Sequence, residues 1–333
     1  MINYREYIPQ PKHTATMKKI ILLIHLLISL NAISQSLPTM KDWFLAIGDW
    51  DNAPQIYVRE YGTGSQPVIL LHGGWGADHE GMIEMVAALA SDYKFIFYDQ
   101  RGSLRSPFPD SLITFDQHIE DLERLRQEFD FNKVTIVGHS MGSVLAGAYA
   151  SKYPDKIKKM VLLAPAFLKN PIPESDKELS NQQFQRFGEF MKRDAVSDQL
   201  KAYGLAGDYT QISSREKTAI FRINFANRML HDVSKWPQLS GGRALYKGHV
   251  FGLTEASYPE NGWDYFKDFN KANYPVKVIV GDHDFLDFGN GLISKWIKDT
   301  PRAELTIIPK AGHLLWIDQP AYVSKALKEA LMD

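Results

Sequence analysis

Short apolar runs rich in β-branched and aromatic residues alternate along the chain with longer stretches of helical periodicity. The runs predict strands at residues 55–60, 68–71, 95–98, 134–137, 160–163, 276–280 and 305–308. Residues 115–129 and 321–331 place their apolar side chains on one stripe, as amphipathic helices do. This alternation predicts an α/β fold in which helices cover both faces of a mostly parallel central sheet.

The alternation breaks over residues 169–269. This stretch opens on Asn-Pro-Ile-Pro-Glu and continues as amphipathic helical patterns rich in phenylalanine. We interpret it as a mostly helical cap inserted into an α/β core that comprises residues 35–168 and 270–333. A chain of 333 residues is long enough for one such core with an insertion.

Composition and charge exclude several classes of function. The formal net charge is −1, which gives no strong field for nucleic acid or an anionic membrane. The chain has no cysteine, so disulfides, thiol catalysis and zinc–thiolate sites are excluded. The expected partner is a small molecule or short peptide, with no cofactor, metal or nucleic acid. The sequence does not indicate an oligomeric state.

The N-terminal region has the pattern of an export signal. Two lysines follow Met17, an almost wholly apolar stretch covers residues 20–30, and small residues stand at Ala32 and Ser34. We expect a signal peptide at 17–34, cleaved after Ser34, and a secreted or periplasmic protein without an integral membrane span in its mature chain. The alternative is an uncleaved N-terminal membrane anchor. Residues 1–16 are expected to be an unstructured upstream extension.

The motif Gly-His-Ser-Met-Gly at 138–142 directly follows a predicted strand and precedes a helical pattern. Its glycines allow a tight strand-to-helix turn that exposes the hydroxyl of Ser140 above the sheet. The sequence therefore predicts Ser140 as a nucleophile.

A serine nucleophile needs a base and a group that orients the base. His313 follows the last predicted strand on a loop that Gly312 opens, and it is the base candidate. The acidic turn after the preceding strand offers Asp284, our first choice for the orienting carboxylate, and Asp282 as the alternative. A calcium loop is disfavoured here because its regularly spaced oxygens and closing glutamate are missing.

The developing oxyanion needs backbone N–H donors. One is predicted at Met141, at the N-terminus of the helix behind Ser140. The other is expected from the glycine loop His-Gly-Gly-Trp-Gly at 72–76, with Gly74 as the first candidate and Trp75 as the next.

From residue 41 to 333 the chain resembles the α/β-hydrolase superfamily. The glycine loop 72–76 and the segment Asp-Gln-Arg-Gly-Ser-Leu-Arg-Ser at 99–106 are most similar to the HGGPG and DQRGxGRS motifs of the proline iminopeptidase branch. Trp75 and Leu104 depart from these motifs. The resemblance implies the α/β-hydrolase fold, and its G-x-x-D turn, matched by Gly281 and Asp284, favours Asp284 as the triad acid.

The resemblance implies a serine hydrolase that cleaves a small acyl substrate through an acyl-enzyme. A proline iminopeptidase-like aminopeptidase is expected first, and a carboxylesterase or lipase-like enzyme, or a carbon–carbon bond hydrolase, is the alternative. Iminopeptidases hold the substrate amine with cap glutamates, and none of the cap glutamates here lies in a matching context. A non-catalytic, ligand-binding member of the fold is the alternative outside enzymes.

Overall fold

The computed structural model describes residues 39–48, 52–207, 211–242 and 246–332. The predicted upstream extension and signal peptide lie outside the described residues. The chain divides into two units, Met1–Thr39 and Met40–Asp333, and all elements below belong to the second.

Eight strands of the described residues form one central sheet, and two short strands form a separate pair. The strands are β1 (Met40–Ala46), β2 (Gln55–Tyr61), β3 (Gln66–Leu71), β4 (Tyr93–Tyr98), β5 (Val134–His139), β6 (Ile157–Leu163), β7 (Lys169–Asn170), β8 (Trp263–Asp264), β9 (Val276–Gly281) and β10 (Ala303–Ile308). The order in the sheet is β1-β2-β4-β3-β5-β6-β9-β10.

Six of these strands, from β4 to β10 in the sheet order, run parallel to their neighbours. The strand β2 runs antiparallel to both of its neighbours, β1 and β4. The carboxyl ends of β5, β9 and β10 therefore lie at one edge of the sheet, where ligands of open α/β sheets bind. The strand β1 was not predicted although it contains the apolar run 43–46; at this edge position its first three residues are exposed and only Leu45 is fully buried.

Helices surround the sheet. They are α1 (Ile83–Val86), α2 (Phe115–Glu128), α3 (Met141–Lys152), α4 (Lys177–Met191), α5 (Ala195–Ala202), α6 (Ser214–Met229), α7 (Gly248–Glu255), α8 (Tyr265–Lys271), α9 (Gly291–Ile297), α10 (Leu315–Asp318) and α11 (Pro320–Met332). Among the described helices, none has the length and apolar character needed to cross a bilayer.

Both faces of the sheet are buried. On β3, Ile69 and Leu71 pack into one apolar cluster with α2 and α3, while Val68 and Leu70 pack into a second cluster with α11. Strands covered on both sides have continuous apolar runs, which is the pattern that identified them in the sequence. The predicted α/β fold is thus confirmed.

Five helices of the described residues, α4 to α8, lie between β6 and β9 in the chain. The pair β7–β8 joins residues 169–170 to residues 263–264, near the two predicted ends of the cap. The buried carboxylate of Asp176, just before α4, accepts hydrogen bonds from Trp296 Nε1 at 2.7 Å and from Lys295, both on α9. This contact attaches the first helix of the insertion to the sheet layer.

Candidate active site

Ser140 lies at the sharp turn between β5 and α3. Its backbone dihedrals are φ 52° and ψ −119°, a conformation that non-glycine residues rarely adopt. The turn is held by hydrogen bonds from the Ser140 N–H to Leu163 O at 3.1 Å and from the Ala166 N–H to Ser140 O at 3.2 Å. Since such strain persists only where its surroundings enforce it, the turn is a candidate functional feature.

Glycines allow three backbone segments to meet at this turn. A Cβ on Gly73 would lie 2.7 Å from Ser140 Cβ and 2.8 Å from His139 Nδ1, and a Cβ on Gly142 would collide with Leu71 O. Any side chain at these positions would push the glycine loop or β3 away from Ser140. The motif therefore brings the glycine loop against the serine.

His313 and Asp284 come together at the same edge of the sheet. His313 Nδ1 lies 3.0 Å from Asp284 Oδ2 and 3.1 Å from Asp284 Oδ1, and both side chains are almost fully buried. The ring nitrogen donates to the carboxylate, which leaves Nε2 as the atom able to accept a proton. The Phe285 ring packs edge-on against His313 at 4.8 Å and limits the ring's movement.

Asp282, the alternative acid, has other partners. Its Oδ1 lies 2.6 Å from His283 Nδ1 and accepts the Ala311 N–H at 3.2 Å. Burial raises the pKa of Asp282, but these hydrogen bonds outweigh burial and lower it. The structure therefore pairs Asp284, and not Asp282, with His313.

Within the described residues, the Ser140 hydroxyl and His313 form no direct hydrogen bond. The two chain segments that carry them are connected through His139, whose Nε2–H donates to the His313 carbonyl at 3.2 Å. The two imidazole rings are 4.8 Å apart, and Trp316 packs edge-on against His139 at 4.9 Å. Burial, with the nearby His313, places the pKa of His139 well below its usual range, so this ring is neutral.

The two predicted oxyanion donors have free N–H groups. Within the described part of the chain, neither the Met141 N–H nor the Gly74 N–H donates to another group. Gly74 has φ +68°, a left-handed conformation that glycine adopts without strain. Gly74 follows the residue that touches Ser140, so both donors adjoin the serine.

The segment 99–106 holds the glycine loop in place. The His72 Nε2 accepts the Gln100 N–H at 3.0 Å, and Gln100 Nε2 donates to His72 O at 2.9 Å. Burial lowers the pKa of His72, which keeps the ring neutral as this acceptor. Beneath this contact, the buried Asp99 carboxylate lies 2.6 Å from both His79 Nδ1 and Arg105 Nε. The segment thus fixes the position of the Gly74 donor.

The two departures from the iminopeptidase motifs have different surroundings. Trp75 is fully buried, donates from Nε1 to the Tyr258 hydroxyl at 2.7 Å and stacks on His118 at 4.6 Å. Leu104 is 46% exposed and lies at the surface of its turn. Trp75 therefore supports the glycine loop from the core side, whereas Leu104 makes no comparable contact.

Asp318 was not identified from the sequence, and it connects the histidine loop to the insertion. Its buried carboxylate accepts N–H groups of Gly312 at 2.8 Å, His231 at 2.7 Å and Asp232 at 3.0 Å. The Leu314 N–H also donates to Met229 O at 3.1 Å. A sequence signal for this role is lacking because an aspartate at the end of a short helix is ordinarily solvated.

Several glutamates of the insertion already have partners close by in the chain. Those that form an ion pair, a side-chain hydrogen bond or a capping box are Glu174, Glu178, Glu189 and Glu216. Within the described residues, the exposed side chains of Glu255 on α7 and Glu260 beyond it make no ion pair or hydrogen bond. No set of three or more acidic or histidine side chains in the described ranges is arranged to hold a metal ion.

The chain belongs to the alpha/beta hydrolase fold family, whose sequence model matches residues 66–320. It is 27% identical over 286 residues to a proline iminopeptidase of Saccharolobus solfataricus, a match that covers 82% of this chain and 88% of that relative. A proline iminopeptidase of Heyndrickxia coagulans is 37% identical over 117 residues, or 34% of this chain and 40% of the relative.

A solved structure gives the same picture of the fold. The proline iminopeptidase-related protein of Thermus thermophilus matches with a TM-score of 0.61 at 21% identity, covering 88% of this chain and 97% of that one. The resemblance to the superfamily, near its proline iminopeptidase branch, is confirmed by the family match and the curated relatives, and the chain is a hydrolase of the α/β fold.

Proposed function

We propose that this protein is a serine hydrolase in which Ser140 is the nucleophile, His313 the base and Asp284 the group that orients the base. The hydrogen bond between His313 and Asp284, next to a strained serine turn, is the observation that carries the proposal. The contact between Ser140 and the base then forms when substrate binds, because catalytic hydrogen bonds are often long in the free enzyme.

In the proposed reaction, Ser140 Oγ attacks the substrate carbonyl carbon while its proton moves to His313 Nε2. The carbonyl electron pair moves to oxygen, and the N–H groups of Met141 and Gly74 stabilise the oxyanion. When the oxyanion collapses, the bond to the leaving group breaks and His313 gives that group its proton. Water then attacks the acyl-enzyme, passes its proton to His313, and releases the acid as Ser140 recovers its hydrogen.

Our first candidate for the substrate is a peptide or amide with a free N-terminal residue. The proline iminopeptidases among the full-length relatives and the segment 99–106 support this assignment. An aminopeptidase needs a carboxylate to pair with the substrate ammonium, because an unpaired buried charge is costly. We assign this role to Glu255, an exposed carboxylate of the insertion that makes no ion pair or hydrogen bond within the described residues.

A carboxylesterase is the second candidate. It is favoured by the engagement of Glu174, Glu178, Glu189 and Glu216 with partners near them in the chain. An ester without an amine needs no carboxylate to bind it, so the proposed triad and oxyanion donors would suffice for its hydrolysis without Glu255.

The test compares proline β-naphthylamide with short p-nitrophenyl esters, using the wild type and Ser140→Ala. We expect turnover of both, at least about a thousandfold reduced in the variant, and labelling of the wild type by a fluorophosphonate probe. Ester turnover without arylamide turnover would reject the peptidase assignment. A wild type that neither reacts with the probe nor turns over substrate would support a non-catalytic protein instead.

The assignment of Glu255 has its own controls. Glu255→Gln should raise KM for proline β-naphthylamide about tenfold and leave the esters unchanged, since only the amide carries an ammonium. Glu178→Gln removes a carboxylate that already has a partner, and Glu260→Gln removes one outside α7, so neither should change either substrate. Equal effects of the three variants would show that Glu255 does not bind the amine, and an effect of Glu260→Gln alone would move the assignment to Glu260.

A further inference from the structure

The segment that leads into α7 is docked on the glycine loop. The Lys247 N–H donates to Gly76 O at 2.9 Å. A Cβ on Gly76 would collide with Lys247 O and lie 3.0 Å from Val250 Cβ, and Val250 is fully buried. The start of α7 therefore keeps a fixed position relative to the loop that carries the Gly74 donor.

Tyr246 is the residue that this docking places beside Gly74. A Cβ built on Gly74 would lie 3.6 Å from Tyr246 Cε2, an ordinary van der Waals distance. Gly73, the residue before Gly74, is the one against Ser140. The serine, the glycine loop and the aromatic ring are therefore neighbours in turn.

The Tyr246 side chain is 47% exposed even though it lies next to the glycine loop. Burial of the remainder raises the pKa of its hydroxyl, which is therefore neutral near pH 7. An aromatic face that lies beside the glycine loop and is half uncovered gains stability when a ligand covers it, and flat or apolar groups gain most.

We propose that Tyr246 contacts the acyl group of the substrate and gives the enzyme a preference for ring-bearing, apolar acyl groups over small ones. This inference rests on the proposed serine hydrolase function. The ring acts through its face, so the hydroxyl is dispensable, and the contact is made in both the bound substrate and the transition state. The preference is therefore a matter of KM and not of kcat.

Tyr203 shows that exposure alone does not carry this argument. Its side chain is 53% exposed, but its ring packs edge-on against Trp236 at 4.9 Å, and among the described residues it is not one of the nearest neighbours of Gly73, Gly74 or Gly76. Tyr203 is therefore the matched control, an exposed tyrosine of the same insertion.

The experiment measures kcat and KM for p-nitrophenyl benzoate and p-nitrophenyl acetate in the wild type, Tyr246→Phe, Tyr246→Ala and Tyr203→Ala. We expect Tyr246→Ala to raise KM for the benzoate about tenfold and to change KM for the acetate less than about twofold. Tyr246→Phe and Tyr203→Ala should match the wild type on both esters. Thermal melting of all four proteins checks that the fold is retained.

The outcomes separate the two proposals. If the wild type cleaves both esters and Tyr246→Ala changes them equally or not at all, the role of Tyr246 is wrong while the serine hydrolase assignment stands. If Tyr246→Phe raises KM for the benzoate as much as Tyr246→Ala does, the hydroxyl makes the contact and the proposed role of the ring face is wrong. If the wild type cleaves neither ester nor arylamide, the proposed function fails and the inference falls with it.

Discussion

His139 offers the sharpest test of how the serine turn and the histidine loop are held together. It is buried, and its ring bridges the two segments through the hydrogen bond to His313 O and the contact with Trp316. Replacing His139 with leucine keeps a side chain of similar size but removes the donor. The buried carbonyl of His313 then loses its hydrogen-bond donor.

The expected magnitude follows from that lost partner. A buried carbonyl without a hydrogen bond costs about 1–3 kcal/mol, which is enough to shift the His313 loop. Misplacing a catalytic group by about 1 Å costs on the order of a hundredfold in rate. We therefore expect His139→Leu to lower kcat about 10- to 100-fold, with KM nearly unchanged because the substrate pocket is retained.

The assay is steady-state hydrolysis of p-nitrophenyl acetate together with thermal unfolding. His139→Gln retains a side-chain N–H and should recover part of kcat. Leu125→Ala, in the core of α2 away from the site, should lose about 2–5 kcal/mol of stability with an unchanged kcat. If His139→Leu is destabilised but turns over as fast as the wild type, the positioning argument is refuted.

Three further predictions concern stability and processing. Burial would raise the pKa of Glu123, but hydrogen bonds from Arg126 and other groups outweigh it and lower the pKa from 4.5 to about 2. The ionised carboxylate therefore stabilises the fold above pH 4.5, and this stabilisation is lost as the pH falls toward 2. Glu123→Gln should cost about 1–3 kcal/mol at pH 7 in urea unfolding and about half of that near pH 3, and an equal cost at both would contradict the linkage. Trp75→Ala should cost about 3–5 kcal/mol because a fully buried ring is removed, which an unchanged melting temperature would exclude. We propose cleavage after Ser34, so N-terminal sequencing of exported protein should begin at Gln35 and should not find Met17.

The sequence predicts the central sheet well because strands buried on both faces must be apolar throughout. The predicted run at 134–137 extends to His139 in β5, and the run at 276–280 extends to Gly281 in β9. The two-residue strands β7 and β8 were missed because two residues have no periodicity. They form because the two ends of the insertion pair with each other, which is a tertiary contact that local sequence does not encode.

The sequence proposes the residue types of the candidate site, and it prefers Asp284 over Asp282 through the G-x-x-D turn of the family it resembles. Two aspartates separated by one residue sit in the same turn, and only the backbone decides which of them faces His313. Here the Asp282 carboxylate accepts the Ala311 N–H and pairs with His283, whereas the Asp284 carboxylate pairs with His313. The role of His139 was not predicted, because its contact depends on a loop 174 residues away in the chain.

The carboxylate of Asp318 gives the insertion and the proposed base a common anchor. The same oxygen, Oδ2, accepts the N–H of Gly312, which precedes His313, and the N–H of His231, which follows α6. A hinge motion at this corner would therefore displace the base from the nucleophile. Grafting an insertion of different length onto this core would succeed only where the graft supplies a backbone N–H at the place of His231.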